Sequence, residues 1–484
     1  MTKNSTYPYM SQLDDLDRFV EAAPGRVIVA TGDRDRWLAF DGNTWTTTEA
    51  ETTARELALE VVTAKHAELT DEKAKGNYAS QRLTLGYPAT LVGTAAKERR
   101  LRRPAAEFDR EAHLIGCANG VLDLRTGELH TGRPDLWVSR STGITYDANA
   151  RCPRWERFLT EVLPANDEVQ TYLQDLVGYL LTGETNIQKM WILHGRGANG
   201  KTVLIRTLLD LLGDYGQQAP RSVLLGSERH GGPRTDIVRL DGMRLVSLTE
   251  TDSSDAFSES RVKELTGGER VAARRMYAEE VEFVPRAKFL LGTNNLPSVR
   301  GSDEGIWRRL IVMRFTQTFT NPDPDLIAAL RAELPGILAW AVRGAQRYYA
   351  NGRALPTPTV FQTASNEYRG AQDHITGFLA DACELDDDAV VSAAELQRAY
   401  QAWAREEGRT PLDWQSCIAA GLHDRGIHRE RYGKDRRYHW RGLRLIDAGA
   451  PQLTLAALRP PSGGRTPADP GGRTTNSRPP LGRR

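Results

Sequence analysis

Residues 190–213 read MWILHGRGANGKTVLIRTLLDLLG. A short apolar run, Met190 to His194, enters a glycine-rich turn, and a stretch with helical spacing leaves it. The turn, Gly195-Arg196-Gly197-Ala198-Asn199-Gly200-Lys201-Thr202, matches G-x-x-x-x-G-K-[ST] in full. Glycines allow backbone N–H groups to turn inward around phosphates, and the N-terminus of the following helix adds partial positive charge. Lys201 is expected to reach the β- and γ-phosphates of ATP, and Thr202 to ligand Mg2+. The alternative is a glycine-rich turn arising by chance. The strand before it and the helix after it argue against that.

The neighbouring sequence alternates in the same way. RLVSLTE (244–250), AKFLLGTN (287–294) and RLIVMRF (309–315) are short apolar strands separated by helix-like stretches. Such alternation predicts an α/β domain with helices against a mostly parallel sheet. The first strand ends on Glu250, at the sheet edge where open α/β folds place ligands. Glu250 is therefore a candidate to position Mg2+ or polarise the attacking water, the plainer reading being a surface carboxylate. The second ends on Asn294, placed to orient water or the γ-phosphate, although Asn-Asn-Leu-Pro is also good turn chemistry. Arg308 and Arg309 open the third. An arginine there could reach the nucleotide of an adjoining subunit; Arg309 is the expected finger, and Arg308 lies one register away. Lys263 to Tyr277 reads KELTGGERVAARRMY, a helix ending at Gly267-Gly268 followed by a hairpin through VEFVP. Arg274, Arg275 and Tyr277 near its turn suit a phosphate backbone and stacking. Arginines paired with Glu279, Glu280 and Glu282 are the alternative.

Further out, residues 1–48 read as a small β-rich segment, RVIVATG, RWLAF and TWTTT, with Asp14, Asp15 and Asp17 as a helix start. Residues 49–165 read as a helical domain, with a hairpin at NGVLDLRTGEL. Residues 166–330 hold the strand–helix alternation, 331–372 a helical connector, and 373–447 helices followed by a basic hairpin, which suggests a winged helix. Residues 448–484 are rich in Pro, Gly, Arg, Ser and Thr and predict a disordered tail. The net charge of +1 excludes nothing about nucleic acid, but residues 425–444 hold eight Lys or Arg against two acids. In that hairpin Arg431, Lys434, Arg436 and Arg437 lie among Tyr432, Tyr438 and Trp440, a pattern for DNA contact or, more blandly, a solvated face. The four cysteines, Cys117, Cys152, Cys383 and Cys417, form no C-x-x-C pair, so a reducing cytoplasm is the expected setting. No apolar run approaches the roughly 18 residues of a membrane span, and the N-terminus has no signal-peptide core.

In combination these motifs resemble superfamily-3 helicases of the phage and plasmid primase family, which are related to the poxvirus primase-helicase. Asn199-Gly200-Lys201 fits the family's G-x-G-x-N-G-K-[ST] loop, Lys263 to Tyr277 its K-x-L-T-G-G-[DE] region, Thr293, Asn294 and Pro297 its T-N-x-x-P, and Trp307 to Phe315 its finger segment. The stretches NGVLDL and Cys152-Pro-x-Trp155 are similar to the helical domain that precedes the ATPase in these proteins. The resemblance implies an AAA+-like ATPase domain between that helical domain and a C-terminal winged helix. It also implies ATP and Mg2+ as cofactors, a homo-oligomeric ring of six, and single-stranded or forked DNA as substrate, contacted in part by Lys263. The setting would be replication of a phage, plasmid or integrated element, with a separate primase as partner. About 110 residues precede NGVLDL, too few for a primase core as well, so no primer synthesis is expected. Two departures stand out. Motif B has one acid, Glu250, with Asp252 beyond it, which leaves the general base open between them; and Ala278 stands where a hairpin lysine is common. An origin-binding initiator, in which ATP controls assembly, is the alternative function. A small-molecule P-loop kinase would leave the hairpin and the winged helix unexplained.

Overall fold

The structure, a computed structural model, describes residues 12–32, 35–164, 166–226, 234–248, 255–274, 280–299, 304–409, 411–412, 414–432 and 437–446. The chain divides into two units, Met1–Gln372 and Asp373–Arg484. The expected tail, 448–484, lies outside the described residues.

The first unit begins with α1 (Gln12–Ala22), the strands β1 (Val27–Thr31), β2 (Arg36–Phe40) and β3 (Trp45–Thr46), and the helices α2 (Ala50–Glu68), α3 (Glu72–Arg82) and α4 (Tyr87–Ala95). Then β4 (Arg102–Pro104) returns to pair in parallel with β1, giving the sheet order β3-β2-β1-β4. Phe19 of α1, Val29 of β1, Leu57 of α2 and Leu91 of α4 share one core. The division expected at residue 48 therefore cuts through a core. The strands' apolar face has nothing to bury against until α2 covers it, so the β segment and the first helices fold as one layer pair. Of the acidic cluster in α1, Asp15 is fully buried. It accepts hydrogen bonds from Lys65 Nζ (2.9 Å), Tyr78 Oη (2.9 Å) and Tyr87 Oη (2.7 Å), which compensate a charge that would otherwise be costly to bury.

A three-stranded meander follows: β5 (Leu114–Cys117), β6 (Gly120–Asp123) and β7 (Glu128–His130), the last two forming the expected hairpin. The stretch 49–165 is thus not purely helical. Next come α5 (Pro153–Val162), opened by proline where a missing N–H costs nothing, and α6 (Asp167–Leu181), capped by Asn166 accepting from the Val169 amide (2.8 Å).

The central sheet is built from β8 (Met190–His194), α7 (Lys201–Leu212), β9 (Gly216–Ala219), the short α8 (Thr235–Val238), β10 (Leu245–Leu248), α9 (Glu259–Thr266), the hairpin β11 (Val271–Arg274) and β12 (Glu280–Phe283), β13 (Lys288–Thr293), α10 (Glu304–Trp307) and β14 (Leu310–Arg314). Its order is β14-β8-β13-β10-β9, every neighbour parallel, as the alternation predicts. Alternate side chains bury on opposite faces. Trp191, Leu193, Ile311 and Met313 join the core under α5, α6 and α7, while Met190, Ile192, Leu310 and Val312 join the other.

Behind the sheet lie α11 (Leu326–Ala332), α12 (Leu334–Ala350) and α13 (Thr359–Gln372). The expected connector, 331–372, is no linker, because Ile337, Leu338, Trp340 and Phe361 complete the first of those cores. Gly178 of α6 and Gly344 of α12 let the two helices pack backbone to backbone; a Cβ at either would run into main-chain atoms of the other. Ser365 of α13 accepts the Val312 amide through its Oγ (2.9 Å), satisfying a donor on the edge strand β14.

The second unit comprises α14 (His374–Ala382), β15 (Cys383–Ser392), α15 (Ala393–Glu406), a π-helical turn at Trp414–Ala419, α16 (Ala420–Asp424), β16 (His428–Tyr432) and β17 (Arg437–Leu445). The sheet order is β15-β17-β16. The sequence CELDDDAVVS hides β15 behind its acids. Phe378, Tyr400, Trp403, Trp414 and Trp440 fill the core. His374 is buried against them, its Nδ1 3.0 Å from Tyr400 Oη. Burial, with Arg409 nearby, pushes its pKa down to about 4. A folded-state pKa below the unfolded value means stability present above about pH 6.5 and lost as pH falls toward 4. Acidification over that window should destabilise the second unit by on the order of 2–3 kcal/mol. Denaturant unfolding followed by tryptophan fluorescence reads this. His374→Gln should flatten the dependence, and a variant as acid-sensitive as wild type would assign it elsewhere.

Candidate functional site

The turn 195–200 leaves the C-terminal end of β8 between two partners. His194 O accepts the Phe315 amide (2.7 Å) after β14, and the Gly195 amide donates to Thr293 O (3.2 Å) at the end of β13. From β8 the chain travels through α7 to the far edge, β9, whereas β13 is followed by β14 at the opposite edge. The turn therefore sits at the topological switch point, where open parallel sheets leave a crevice. Gly197 (φ 95°), Ala198 (φ 47°) and Gly200 (φ 87°) adopt left-handed backbone, which only glycine enters without cost. At Gly195 the reason is space, since a Cβ would collide with Phe315 O and the Asn199 amide.

Lys201, the first residue of α7, is 7% exposed. Its Nζ donates to Gly195 O (2.7 Å), Asn199 Oδ1 (2.9 Å) and Asn294 Oδ1 (3.1 Å). Three neutral oxygens thus hold an ammonium in the mouth of the turn, an arrangement that suits an incoming anion. Asn199 is buried and reaches Phe315 O with its Nδ2 (3.4 Å). Arg196 and Ala198 are exposed, and Thr202 opens onto the crevice. His194, the residue before the motif, is half-buried. Desolvation holds its pKa below the usual histidine range, with Arg314 and Lys201 adding to the effect.

The crevice is a cavity of about 520 Å³. Its far wall was not legible from the motifs. Phe158 of α5, Phe319 and Leu326 supply apolar surface, and the Phe319 amide donates to Ala198 O (2.8 Å), folding the segment after β14 over the turn. Arg154 forms a polar rim, 3.3 Å from Glu161 and 3.8 Å from Asp323. In the sequence the charges of α5 look like an ordinary solvated helix face, and FTNPDPD (319–325) like a linker.

The other expected residues fall into three groups. Asn294 joins Lys201, as described. Glu250 and Asp252 lie outside the described residues; β10 ends at Leu248, level with Leu291 of β13, itself level with Ile192 of β8. Arg308 and Arg309 are separated by packing. Arg309 is 7% exposed, its Nε donating to Thr266 Oγ1 (3.1 Å) and its guanidinium also to Gly305 O, whereas Arg308 is exposed. Of the two arginines offered as a finger, Arg309 is bonded within its own subunit and Arg308 faces solvent.

Among the residues expected to meet DNA, Lys263 is half-buried in α9, and Arg274 is exposed at the end of β11, opposite Glu280. Arg275, Tyr277, Lys434 and Arg436 lie outside the described residues; Arg437 opens β17, its backbone paired with Tyr432. In the second unit Arg429 and Arg431 stand over the ring of the exposed Tyr438, at 3.9 and 5.1 Å from its centre. Arg431 also donates to the Tyr438 hydroxyl (3.2 Å), which draws its pKa below the ordinary range. Arg441 and Arg444 instead pair with Asp388 (3.8 Å) and Glu384 (2.5 Å).

A family profile described as D5 N terminal like matches residues 17–164, and a second, described as a family of unknown function, matches residues 193–309. A candidate helicase of Acanthamoeba polyphaga mimivirus, L207/L206, is 30% identical over 241 residues, 48% of this chain and 25% of that protein. A candidate primase of African swine fever virus, C962R, is 27% identical over 330 residues, 61% of this chain and 34% of that one. The chain is similar to viral proteins described as helicases and primases. Another such relative, the candidate helicase 184R of Invertebrate iridescent virus 6, is 24% identical over 46% of this chain and 24% of its own length. The chain spans about a quarter to a third of the length of these curated relatives. Among solved structures, the C-terminal region of NrS-1 aligns at 12% identity over 62% of this chain and 78% of that one, with a TM-score of 0.37, too low to relate the two folds in detail. The D5-like match runs from α1 through α5, across residue 48, in keeping with the shared core there. Among the described residues, no helix is long and apolar enough to cross a membrane.

Proposed function

We propose that this primase-helicase relative is an ATP-driven DNA-unwinding motor of the superfamily-3, AAA+-like type, working as a ring of six in replication of a phage, plasmid or integrated element. The observation that carries the reading is the Lys201 ammonium, held at the switch-point mouth of the 195–202 turn beside Asn294 and facing a cavity of about 520 Å³. In this reading the turn is a P-loop whose amides and Lys201 take the phosphates, Thr202 and Glu250 hold Mg2+, and Phe158, Phe319 and Leu326 cover the base. Bound Mg2+–ATP supplies the phosphoanhydride bond whose hydrolysis powers movement. Lys201 neutralises charge on the phosphate oxygens, Asn294 orients the attacking water, and Glu250 accepts its proton.

Arg308 fits a role across a subunit boundary. It precedes β14, at the end of the sheet opposite the P-loop. The five residues of β14 rise about 3.3 Å each, so roughly 16 Å of strand separates Arg308 from its own loop. One side chain cannot span that distance, so in the ring reading any nucleotide Arg308 serves belongs to a neighbouring subunit. The β11–β12 hairpin, through Arg274, Arg275, Tyr277 and nearby Lys263, would track a single strand.

ATPase assays with and without single-stranded DNA, alongside unwinding of a forked duplex, test the reading. An ATPase that neither responds to DNA nor opens the fork would favour the origin-binding initiator instead. Glu250→Gln keeps the side chain's shape and removes the acid, so nucleotide should still bind while hydrolysis is lost; surviving hydrolysis would move the general base to Asp252.

In this reading the second unit is a winged helix whose hairpin contacts a duplex or fork, a role supported by Arg429 and Arg431 over Tyr438. Deleting residues 373–484 should leave basal ATPase within roughly two-fold, since the nucleotide residues all belong to the first unit. It should flatten the salt dependence of fork binding, by about 0.9 in log–log slope for each phosphate contact removed. Equal slopes for the full and shortened chains would mean that this hairpin does not touch DNA.

A further inference from the structure

We propose that Arg309 and Thr266 form a joint tying the finger residue Arg308 to the β11–β12 hairpin, which makes Arg309 a positioning residue for hydrolysis at the adjoining subunit. The proposal rests on the motor reading above.

The geometry begins at the bend between α10 and β14. The Arg309 carbonyl accepts the Met190 amide (2.8 Å), and its own amide donates to Ile306 O (2.9 Å), so its backbone is fixed against the start of β8. Its side chain turns away from solvent and crosses to the last residue of α9, with Nε on Thr266 Oγ1 at 3.1 Å. Thr266 donates its own hydroxyl proton to Val262 O, one turn back, so its oxygen lone pairs are directed to Arg309. A cation at the C-terminal end of α9 also meets the negative end of the helix dipole. The same helix end is held from a second side, where Gln188 Nε2 donates to Gly267 O (2.9 Å). Beyond it Gly268 (φ 77°) reverses the chain, and β11 begins at Val271.

From Arg308 to the hairpin the connection is therefore one peptide bond, one buried guanidinium and one helix end. A charge-assisted bond in a dry environment is short and directional. A hairpin drawn along a DNA strand pulls on the last turn of α9, and the Arg309 side chain must follow it or lose its partner. Because the Arg309 backbone is anchored on β8, the pull changes the orientation of the adjoining Arg308 rather than translating it. An exposed arginine on a loose turn would show no such dependence. The joint gives DNA at the hairpin a means to set the orientation of the finger.

Thr266→Val tests this with least disturbance, because it keeps the branched shape and removes only the hydroxyl. ATP turnover is measured for the full chain with and without saturating single-stranded DNA, with strand affinity measured separately. The variant is expected to keep DNA-free turnover within roughly two-fold and DNA affinity unchanged, while the increment due to DNA falls by about three- to thirty-fold. Thr266→Ser, which keeps the hydroxyl, should retain the stimulation. Arg309→Lys keeps the charge but loses the planar fork, and should lose stimulation as Thr266→Val does. A Thr266→Val protein stimulated like wild type overturns the joint, and so does a Thr266→Ser protein that is not stimulated. If wild type hydrolyses ATP but ignores DNA, the motor reading fails and the joint falls with it.

Discussion

Lys201→Ala is expected to lower ATP hydrolysis by at least 10²–10³-fold, roughly the effect of removing one preorganised donor from a site of developing charge. The alanine takes away the only cation of the 195–202 turn besides exposed Arg196, and it leaves Gly195 O, Asn199 and Asn294 without the donor they share. Asn199 and Asn294 border the cavity, where water can replace the ammonium, so the fold should survive with little loss. Phosphate release and binding of a fluorescent nucleotide analogue, measured together, separate the two effects. Binding should weaken and turnover should vanish, with the unfolding midpoint nearly unchanged. Near-normal turnover in this variant would remove the basis of the P-loop reading.

The second large effect concerns the adjacent arginines. Arg308→Ala should cost about 10³-fold or more in kcat, the lower range for loss of an arginine finger, while leaving nucleotide binding to its own subunit intact. In the ring reading the affected nucleotide belongs to the neighbour, so mixing mutant with wild type should depress activity more steeply than dilution. Arg309→Ala should behave differently. It removes a buried guanidinium with bonds to Thr266 and Gly305, so it should lower stability by on the order of 3 kcal/mol, in mixed and unmixed protein alike. Linear loss of activity on mixing Arg308→Ala with wild type would argue against a shared site. A destabilised Arg308→Ala beside a stable Arg309→Ala would reverse the assignment of the pair.

The region around the turn was readable because its determinants are contiguous. Gly195, Gly197, Gly200 and Lys201 impose backbone conformation and donor chemistry within eight residues, and the apolar runs on each side declare a strand and a helix whatever the rest of the chain does. For the same reason the parallel alternation of 190–315 and the hairpins at 120–130 and 271–283 were legible from local patterning. What needed the tertiary structure depends on partners distant in sequence. The division expected at residue 48 proved to cut through a core, because β1 and β2 bury against α2 and α4. The acidic β15 became a strand only by pairing with β17. The far wall of the cavity combines α5, some 40 residues before the turn, with 319–326, more than 100 after it, and neither carries a nucleotide-binding motif. The choice between Arg308 and Arg309 was closed to the sequence for the simplest reason. Two identical side chains side by side have the same chemistry, and only the approach of Thr266 and Gly305 to one of them turns that guanidinium inward and leaves the other in solvent.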